Sequence, residues 1–445
     1  MTPESDPGEP VTPAGRLFLR PEMDSIIHCA IGVKNEMGID TVKSAIKNSL
    51  MIKHPRFCSL LVRDKNGQEH WKRTDIDVDQ HLIIVNNKNG FCCSCDDDVD
   101  KIVNDYLADL AVSTPLDINK PLWEIHVMLE QKCAILRIHH ALGDGISLMS
   151  MFLAICRKAS EPEAMPTLVT GKRDYRKEGK RQDWSGVLLG VLKVVWFSLV
   201  FCLQFVLRAL WVSDKKTSIS GGDGVELWPR KLVTAKFLIE DMKIVKRAVA
   251  NATVNDVLFG VISSALSRYL DHRSPNAMQE GQQITGMAMV NLREQLTLQN
   301  LSEMMKSNSG SQSKWGNSVD PLQYVRRAKL MIDRKKKTFE APFTYRIGDL
   351  IMSLLGSKAA CILNYRVLCN TTFTVSNVVG PQEEITLMGN PITFIRALTM
   401  HMVSYAGKAE MQIMVAKDII PDPEFLAKCF EDALLEMKEA AAATI

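Results

Sequence analysis

Apolar and polar positions change period several times along the chain, and each change marks an element. Lys132 to His139 alternates as a strand does, and it follows a second run, Leu122 to Glu130, across a short polar turn at Gln131. Side chains on a strand point to opposite faces in turn. His140 is therefore expected on the face of Ala134, Leu136 and Ile138, and His139 on that of Cys133, Ile135 and Arg137. Beyond them Asp144 is placed as an N-cap, and Ile146, Met149, Leu153 and Cys156 recur at helical spacing. A strand, a Gly-bracketed turn and a helix would thus hold one histidine at a strand end, a good place for a catalytic base.

The same patterning divides the rest. Residues 1–14 read as a loose, acidic and Pro-rich tail, and Leu17 to Lys34 as a first strand region. Ile39 to Lys53 is an amphipathic helix, Ser59 to Arg63 and His81 to Val85 are strand-like, and Val99 to Val112 is helical. Strands alternating with helices predict an α/β (α+β layered) architecture, with a first domain over 15–181 and a second over 230–445. In the second, Thr253 to Leu270 is the clearest helix, with Asn255 and Asp256 in its first turn. Ile284 to Val290 reads as a strand ending in Asn291-Leu292-Arg293, Ser302 to Asn317 as a polar loop, and Pro321 to Lys337 as a helix with a solvated basic face. Thr371 to Val375 alternates and stops at Ser376-Asn377; strands over Ile392–Met400 and Glu410–Ala416 and a helix opening at Pro423 complete the chain.

Between the domains, 182–229 differs from everything else. A basic run from Lys172 to Arg181 precedes an apolar stretch, Trp184 to Val212. As a helix it would be roughly 40 Å long, enough to cross a hydrocarbon core of about 30 Å, and Trp184 and Trp211 stand at its ends as interfacial anchors do. Lys193, Gln204 and Arg208 fall in one narrow stripe, which suits a helix lying in the membrane interface or packed on protein along one side. A buried interdomain helix is the plainer reading.

Composition narrows the function. With 445 residues, 46% hydrophobic and 24% charged, the chain can bury large cores. A net charge of +3, with no stacking-aromatic motif, does not suggest a nucleic-acid partner. Eleven scattered cysteines and no signal peptide point to free thiols in a reducing compartment. Cys92-Cys93-Ser94-Cys95 lacks a second pair at ligand spacing, so no metal site is expected.

A lone His on an apolar face is usually a core residue, and an Asp before a helix usually only a cap. The combination His139-His140-x-x-x-Asp144-Gly145 at a strand-to-helix corner is much rarer by chance. It resembles the signature of the chloramphenicol acetyltransferase-like acyltransferases, which include condensation domains and wax ester synthases. With Pro121-Leu122-Trp123, Asn255-Asp256, Asn291-Leu292-Arg293, Ser376 to Pro381 and Ser404 to Lys408, the ordered set resembles the wax ester synthase/diacylglycerol acyltransferases in their plant WSD-type form, from about residue 9 to 440. Leu292 departs from the Val common in bacterial members; both are apolar.

The resemblance implies two chloramphenicol acetyltransferase-like domains with the active site between them. It implies O-acyl transfer from a long-chain acyl-CoA, as co-substrate, to a fatty alcohol or diacylglycerol, without a further cofactor. In it His140 is the general base, His139 supports it and Asp144 orients the loop, held by an arginine for which Arg16, Arg20 and Arg137 are candidates. Gly145 would face substrate, and Asn377, expected at a strand end, could donate to the developing oxyanion. Pro121, Trp123, Asn255, Asp256, Asn291 and Arg293 are motif residues expected to be structural. A single span by Trp184–Val212 would separate the two halves of one site. Monotopic attachment to the cytosolic face of the endoplasmic reticulum membrane is therefore expected, with the plasma membrane a second candidate. A carrier-dependent condensation enzyme and a non-catalytic lipid-binding protein of the same fold are the alternatives.

Overall fold

The computed structural model describes residues 8–49, 51–85, 96–113, 115–167, 184–214, 216–222, 224–275, 284–288, 305–308, 320–336, 340–398 and 400–444. The Cys92–Cys95 cluster, the basic run 172–181 and the Asn291-Leu292-Arg293 segment lie outside them.

From the N-terminus come β1 (Glu9–Pro10), α1 (Pro13–Phe18), β2 (Ile26–Val33), α2 (Ile39–Asn48), β3 (Ser59–Arg63), β4 (Glu69–Arg73), β5 (Leu82–Ile84), α3 (Asp96–Ser113), β6 (Trp123–Met128), β7 (Cys133–His139), α4 (Gly145–Ile155) and β8 (Cys156–Lys158). Helix α5 (Trp184–Leu210) leads to β9 (Arg230–Leu238), α6 (Ile239–Ala248), α7 (Val254–Arg273), β10 (Thr285–Ala288), β11 (Met305–Asn308), α8 (Leu322–Lys336) and α9 (Glu340–Cys369). The chain ends with β12 (Phe373–Val379), β13 (Ile385–Leu387), β14 (Asn390–Ala397), β15 (His401–Tyr405), β16 (Lys408–Ala416) and α10 (Pro423–Ala442).

Four expectations change. The region Leu17–Lys34 begins as helix rather than strand, because Thr12 accepts the Gly15 amide as an N-cap and Pro13 takes the first helical position. The polar segment 302–317 contains β11, whose backbone pairs antiparallel with β10. The strand expected to stop before Ser376 runs on to Val379, so Ser376 and Asn377 lie inside it. Helix α9 fills a stretch to which the sequence pattern assigned no element.

Two large sheets organise the molecule, ordered β5-β6-β7-β2-β14-β13-β8 and β11-β10-β12-β15-β16-β9, with β1, β4 and β3 in a small third sheet. Strands β13 and β14 come from the second half of the chain but complete the first sheet, β14 lying antiparallel on β2 with Ile395 opposite Ile31. A cut at residue 230 therefore does not separate the sheets. Helices α6, α7, α8 and α10 cover one face of the second sheet and share its core.

The opposite face of that sheet meets the first sheet through Val403 and Tyr405, which pack with Ile31, Val33, Leu153 and Ile392. The Tyr405 hydroxyl accepts the Ile385 amide and donates to the Ile392 carbonyl, both at 3.0 Å. Buried Arg396 sits between Glu410 at 2.6 Å and Asp100 at 2.8 Å. Breaking such a pair by removing one partner costs about 3–5 kcal/mol, so the two halves are stitched firmly where they meet.

Candidate active site

Strand β7 delivers the histidines in the alternation its sequence requires. Arg137 and His139 share the buried face, 0% and 5% exposed. Arg137 donates to Glu124 Oε2 at 2.8 Å and to His28 Nε2 at 3.3 Å. Burial alone would raise the Glu124 carboxyl, but hydrogen bonds from His126 and Lys120 and the nearby charges outweigh it and hold it at about 2. His139 Nδ1 accepts the Ala141 amide at 3.1 Å, which leaves the ring proton on Nε2, 2.9 Å from Asp24 Oδ1. Both of its nitrogens are committed to holding the corner.

His140 turns to the other face. Its amide donates to the Ser25 carbonyl at 2.9 Å, and its ring stacks on Phe18 with centroids 4.1 Å apart and planes 19° apart. Burial pushes the imidazole below its usual 6.5; a hydrogen bond to its own backbone carbonyl and the charge of Asp144 oppose this, and His139 adds to it. The ring is therefore neutral at pH 7. The nitrogen nearer the backbone holds the proton against that carbonyl, and Nε2 keeps its lone pair. Phe18 reaches the ring because α1 lies close on the turn: a Cβ on Gly15 would come within 2.8 Å of Val11 Cγ1 and 3.4 Å of the Ala141 carbonyl.

Asp144 caps α4 as expected, its Oδ1 accepting the Ser147 amide at 2.9 Å. Of the arginines considered for it, Arg16 lies 4.0 Å from Glu69, Arg20 bonds Ser357 and Arg137 bonds Glu124. A Cβ on Gly145 would meet no protein atom within 4 Å. The space beside α4 is open.

Pro121, Trp123 and Asp256, among the motif residues described, do structural work. Trp123 is fully buried beside buried Pro121, stacks on His81 at 3.9 Å, and donates its indole N–H to the Phe57 carbonyl at 2.9 Å. Thr253 and Asp256 close a reciprocal capping box on α7, with the Thr253 amide 2.6 Å from Asp256 Oδ2.

The second sheet forms the facing wall, and its register decides which residues reach the site. Ser376 pairs with His401, and Asn377 with Met402. Val375, Met400 and Met402 sink into the core under α7. Asn377 goes with them, and its Nδ2 donates to Asn255 Oδ1 at 2.7 Å. The expected oxyanion role for Asn377 is not supported by this geometry: the residue is inside the strand, on the face toward the α7 core, with its Nδ2 turned to Asn255. Ser376, Val378, His401, Val403 and Tyr405 share the other face, toward the first sheet.

His401 was missed in the sequence. Burial pushes its imidazole down to about 4 against a hydrogen bond to the Leu398 carbonyl, and His140 is near enough to lower it further. Two neutral histidines, one from each sheet, thus lie near one another where the sheets meet. The available signal was alternation: His401 has the parity of Val403 and Tyr405, just ahead of the Ser404–Lys408 motif.

Residues 103–258 match the family model for the wax ester synthase/diacylglycerol acyltransferase catalytic domain, and residues 314–438 that for the WS/DGAT C-terminal domain. Wax ester synthase/diacylglycerol acyltransferase 11 of Arabidopsis thaliana is 34% identical, over 97% of this chain and 95% of its own. Its relative numbered 2 in the same plant is 35% identical, over 97% and 96%. Among solved structures, the wax ester synthase/diacylglycerol acyltransferase from Marinobacter aquaeolei VT8 superposes with a TM-score of 0.62 at 16% identity, covering 97% of this chain and 100% of its own. The first condensation domain of the calcium-dependent antibiotic synthetase gives 0.58 at 12% identity, covering 98% and 97%. At such identities these two likenesses speak to fold.

Proposed function

The chain belongs to the wax ester synthase/diacylglycerol acyltransferase family and is an acyltransferase; on that premise we propose that it moves a long-chain acyl group from acyl-CoA to the hydroxyl of a fatty alcohol, of diacylglycerol, or of both. The observation that carries the reading is His140, neutral, stacked on Phe18, and presenting Nε2 at the end of β7. That nitrogen takes the hydroxyl proton as the oxygen attacks the thioester carbonyl. The C–S bond then breaks, and the proton passes to the departing CoA thiolate. The step balances with acyl-CoA as co-substrate and no further cofactor. On the facing sheet Ser376 is paired with His401 and shares its face, and its hydroxyl is the donor this reading assigns to the developing oxyanion. Asp144 keeps the turn in place through its cap.

The acceptors are apolar, which favours a membrane surface. Helix α5 turns Trp196, Leu199 and Leu203 outward, 65%, 61% and 60% exposed, in keeping with a helix seated in the interface. Monotopic attachment to the cytosolic face of the endoplasmic reticulum leaves both sheets on one side of the bilayer. The chemistry is tested by incubating purified protein with radiolabelled acyl-CoA and a panel of alcohols and diacylglycerol. His140→Ala is expected to lower product formation by about 10²- to 10⁴-fold at unchanged melting temperature. Equal activity of variant and wild type would overturn the mechanism.

A further inference from the structure

Helix α9 carries an apolar face that the acyl-transfer reading does not use. Leu354 and Leu355 are 72% and 68% exposed, and Leu350 and Ile362 also face outward. The helix lies against α5, where Phe205 packs with Leu363 and Leu368 over Met287 and Val367. Both helices are rooted at one point. The carboxylate of Asp214, just after α5, accepts the Thr285 amide at 2.6 Å, the Thr285 hydroxyl at 2.6 Å and the Thr372 hydroxyl, just after α9, at 2.9 Å.

By composition Arg346–Cys369 could cross a membrane, yet its geometry argues against a span. Gly356 has φ 79° and ψ 174°, which breaks the helix. The pieces before and after it are at most about 24 Å long at 1.5 Å per residue, short of a hydrocarbon core of about 30 Å. Among the described side chains of α9, exposed Arg346, Lys358 and Arg366 outnumber exposed Asp349, and exposed Lys216 follows α5. An apolar face rimmed by cations fits an anionic lipid surface.

Directly after the break, α9 grips the segment that holds the histidines. Ser357 Oγ accepts from Arg20 Nε at 3.0 Å, and the Cys361 thiol lies 3.6 Å from Glu22 Oε2. Arg20 and Glu22 sit between Phe18, stacked on His140, and Asp24, bonded to His139. The segment from Phe18 to Asp24 is thus clamped between an outward apolar helix and the catalytic corner.

We propose that α9 joins α5 in one face seated in an anionic lipid bilayer, and that the apolar acceptor reaches His140 from that face, past Phe18. The proposal rests on the acyl-transfer reading and adds the route of one substrate. It is tested with the full chain and phosphatidylcholine vesicles containing phosphatidylserine. Replacing Leu354→Glu and Leu355→Glu together is expected to weaken vesicle flotation about tenfold or more. Turnover of hexadecanol or diacylglycerol carried in the vesicles should fall by a similar factor. Turnover of freely dissolved hexanol should stay at the wild-type rate. The Leu354→Ser, Leu355→Ser pair repeats the measurement without new charge, and thermal melts confirm that both variants fold.

Vesicle binding at the wild-type level in both variants would remove α9 from the bilayer. Weakened binding with undiminished use of vesicle-borne acceptor would overturn the route. Wild-type protein that ignores vesicles but forms dimers lost in the variants would assign the face to a second copy of the chain and overturn the proposal. Absence of turnover of hexadecanol, diacylglycerol and hexanol alike in wild type would instead refute the acyl-transfer reading itself.

Discussion

His140 and His401 come near one another from different sheets, and they are held there in different ways. The first sits in a contiguous strand, turn and helix, residues 133–155, where the Ser25 carbonyl, Phe18 and the Asp144 cap fix it. The second is delivered by the register of β12, β15 and β16, with Ser376 on one side and Gln412 on the other. On the first wall the placement of His140 follows from its neighbours in sequence, and Ser25 and Phe18 then fix it from afar. On the second, neighbours in sequence have opposite fates: Ser376 faces the first sheet with His401, and Asn377 faces the helices.

Substituting that pair is the most direct way to break the comparison. Ser376→Ala is expected to lower kcat by about 10²-fold, the usual scale for removing one oxyanion donor, with little change in melting temperature. Asn377→Ala should do the reverse, destabilising by about 1–3 kcal/mol because Asn255 Oδ1 loses its donor inside the fold. Chemical denaturation and steady-state kinetics on both variants decide it. An Asn377→Ala protein that melts as wild type yet is inactive would reverse the facing assigned to β12.

The same contrast explains how much could be read in advance. The His140 corner was legible because its alternation, glycines and N-cap lie within about 25 residues. Helix α7, with Asp256 in its first turn, was legible for the same reason, though its capping box was not read. Asn377 was misjudged because its strand was ended two residues before its position, and a strand end makes any side chain look available. His401 was missed because its facing depends on pairing with Ser376, 25 positions earlier in the chain. The insertion of β13 and β14 into the first sheet left no local mark, since a strand's alternation reads alike whichever sheet it joins. Helix α9 went unassigned: Gly356 interrupts its period, and its apolar positions face outward as well as inward.

Acid sharpens the comparison, because each wall rests on a histidine that must stay neutral. Burial, with Arg137 beside it, lowers His28 to about 3, and burial lowers His401 to about 4. Both folded values lie below the ordinary 6.5, so between those limits the unfolded chain binds more protons than the folded one. Their contribution is complete above 6.5 and is lost as pH falls toward 4 and 3. Glu124, held at about 2, keeps its contribution until pH drops under its ordinary 4.5. The interval from 6.5 to 4.5 therefore belongs to the histidines. Stability measured by urea unfolding should fall across it, and either His28→Asn or His401→Asn should make the slope shallower by up to about 1.4 kcal/mol per pH unit. A slope unchanged in both variants would mean that these two rings titrate normally in the fold.

The smallest effect is expected at Gly145, back on the first wall. The motif pairs this glycine with Asp144, and two explanations compete: the turn needs it, or the ligand does. Its φ does not lie in the left-handed region, and an added Cβ would meet no protein atom within 4 Å. It is also the first residue of α4, directly after the cap, where alanine is compatible with helical geometry. Gly145→Ala should therefore fold at least as well as wild type, gaining a few tenths to about 1 kcal/mol from the lower freedom of its unfolded chain. The methyl group would occupy the open space beside the turn, so if substrate lies there KM for acyl-CoA or the acceptor should rise a few-fold while kcat holds. A fall in melting temperature, or a loss of kcat at constant KM, would return the glycine to the turn and leave the space beside α4 without a ligand to explain it.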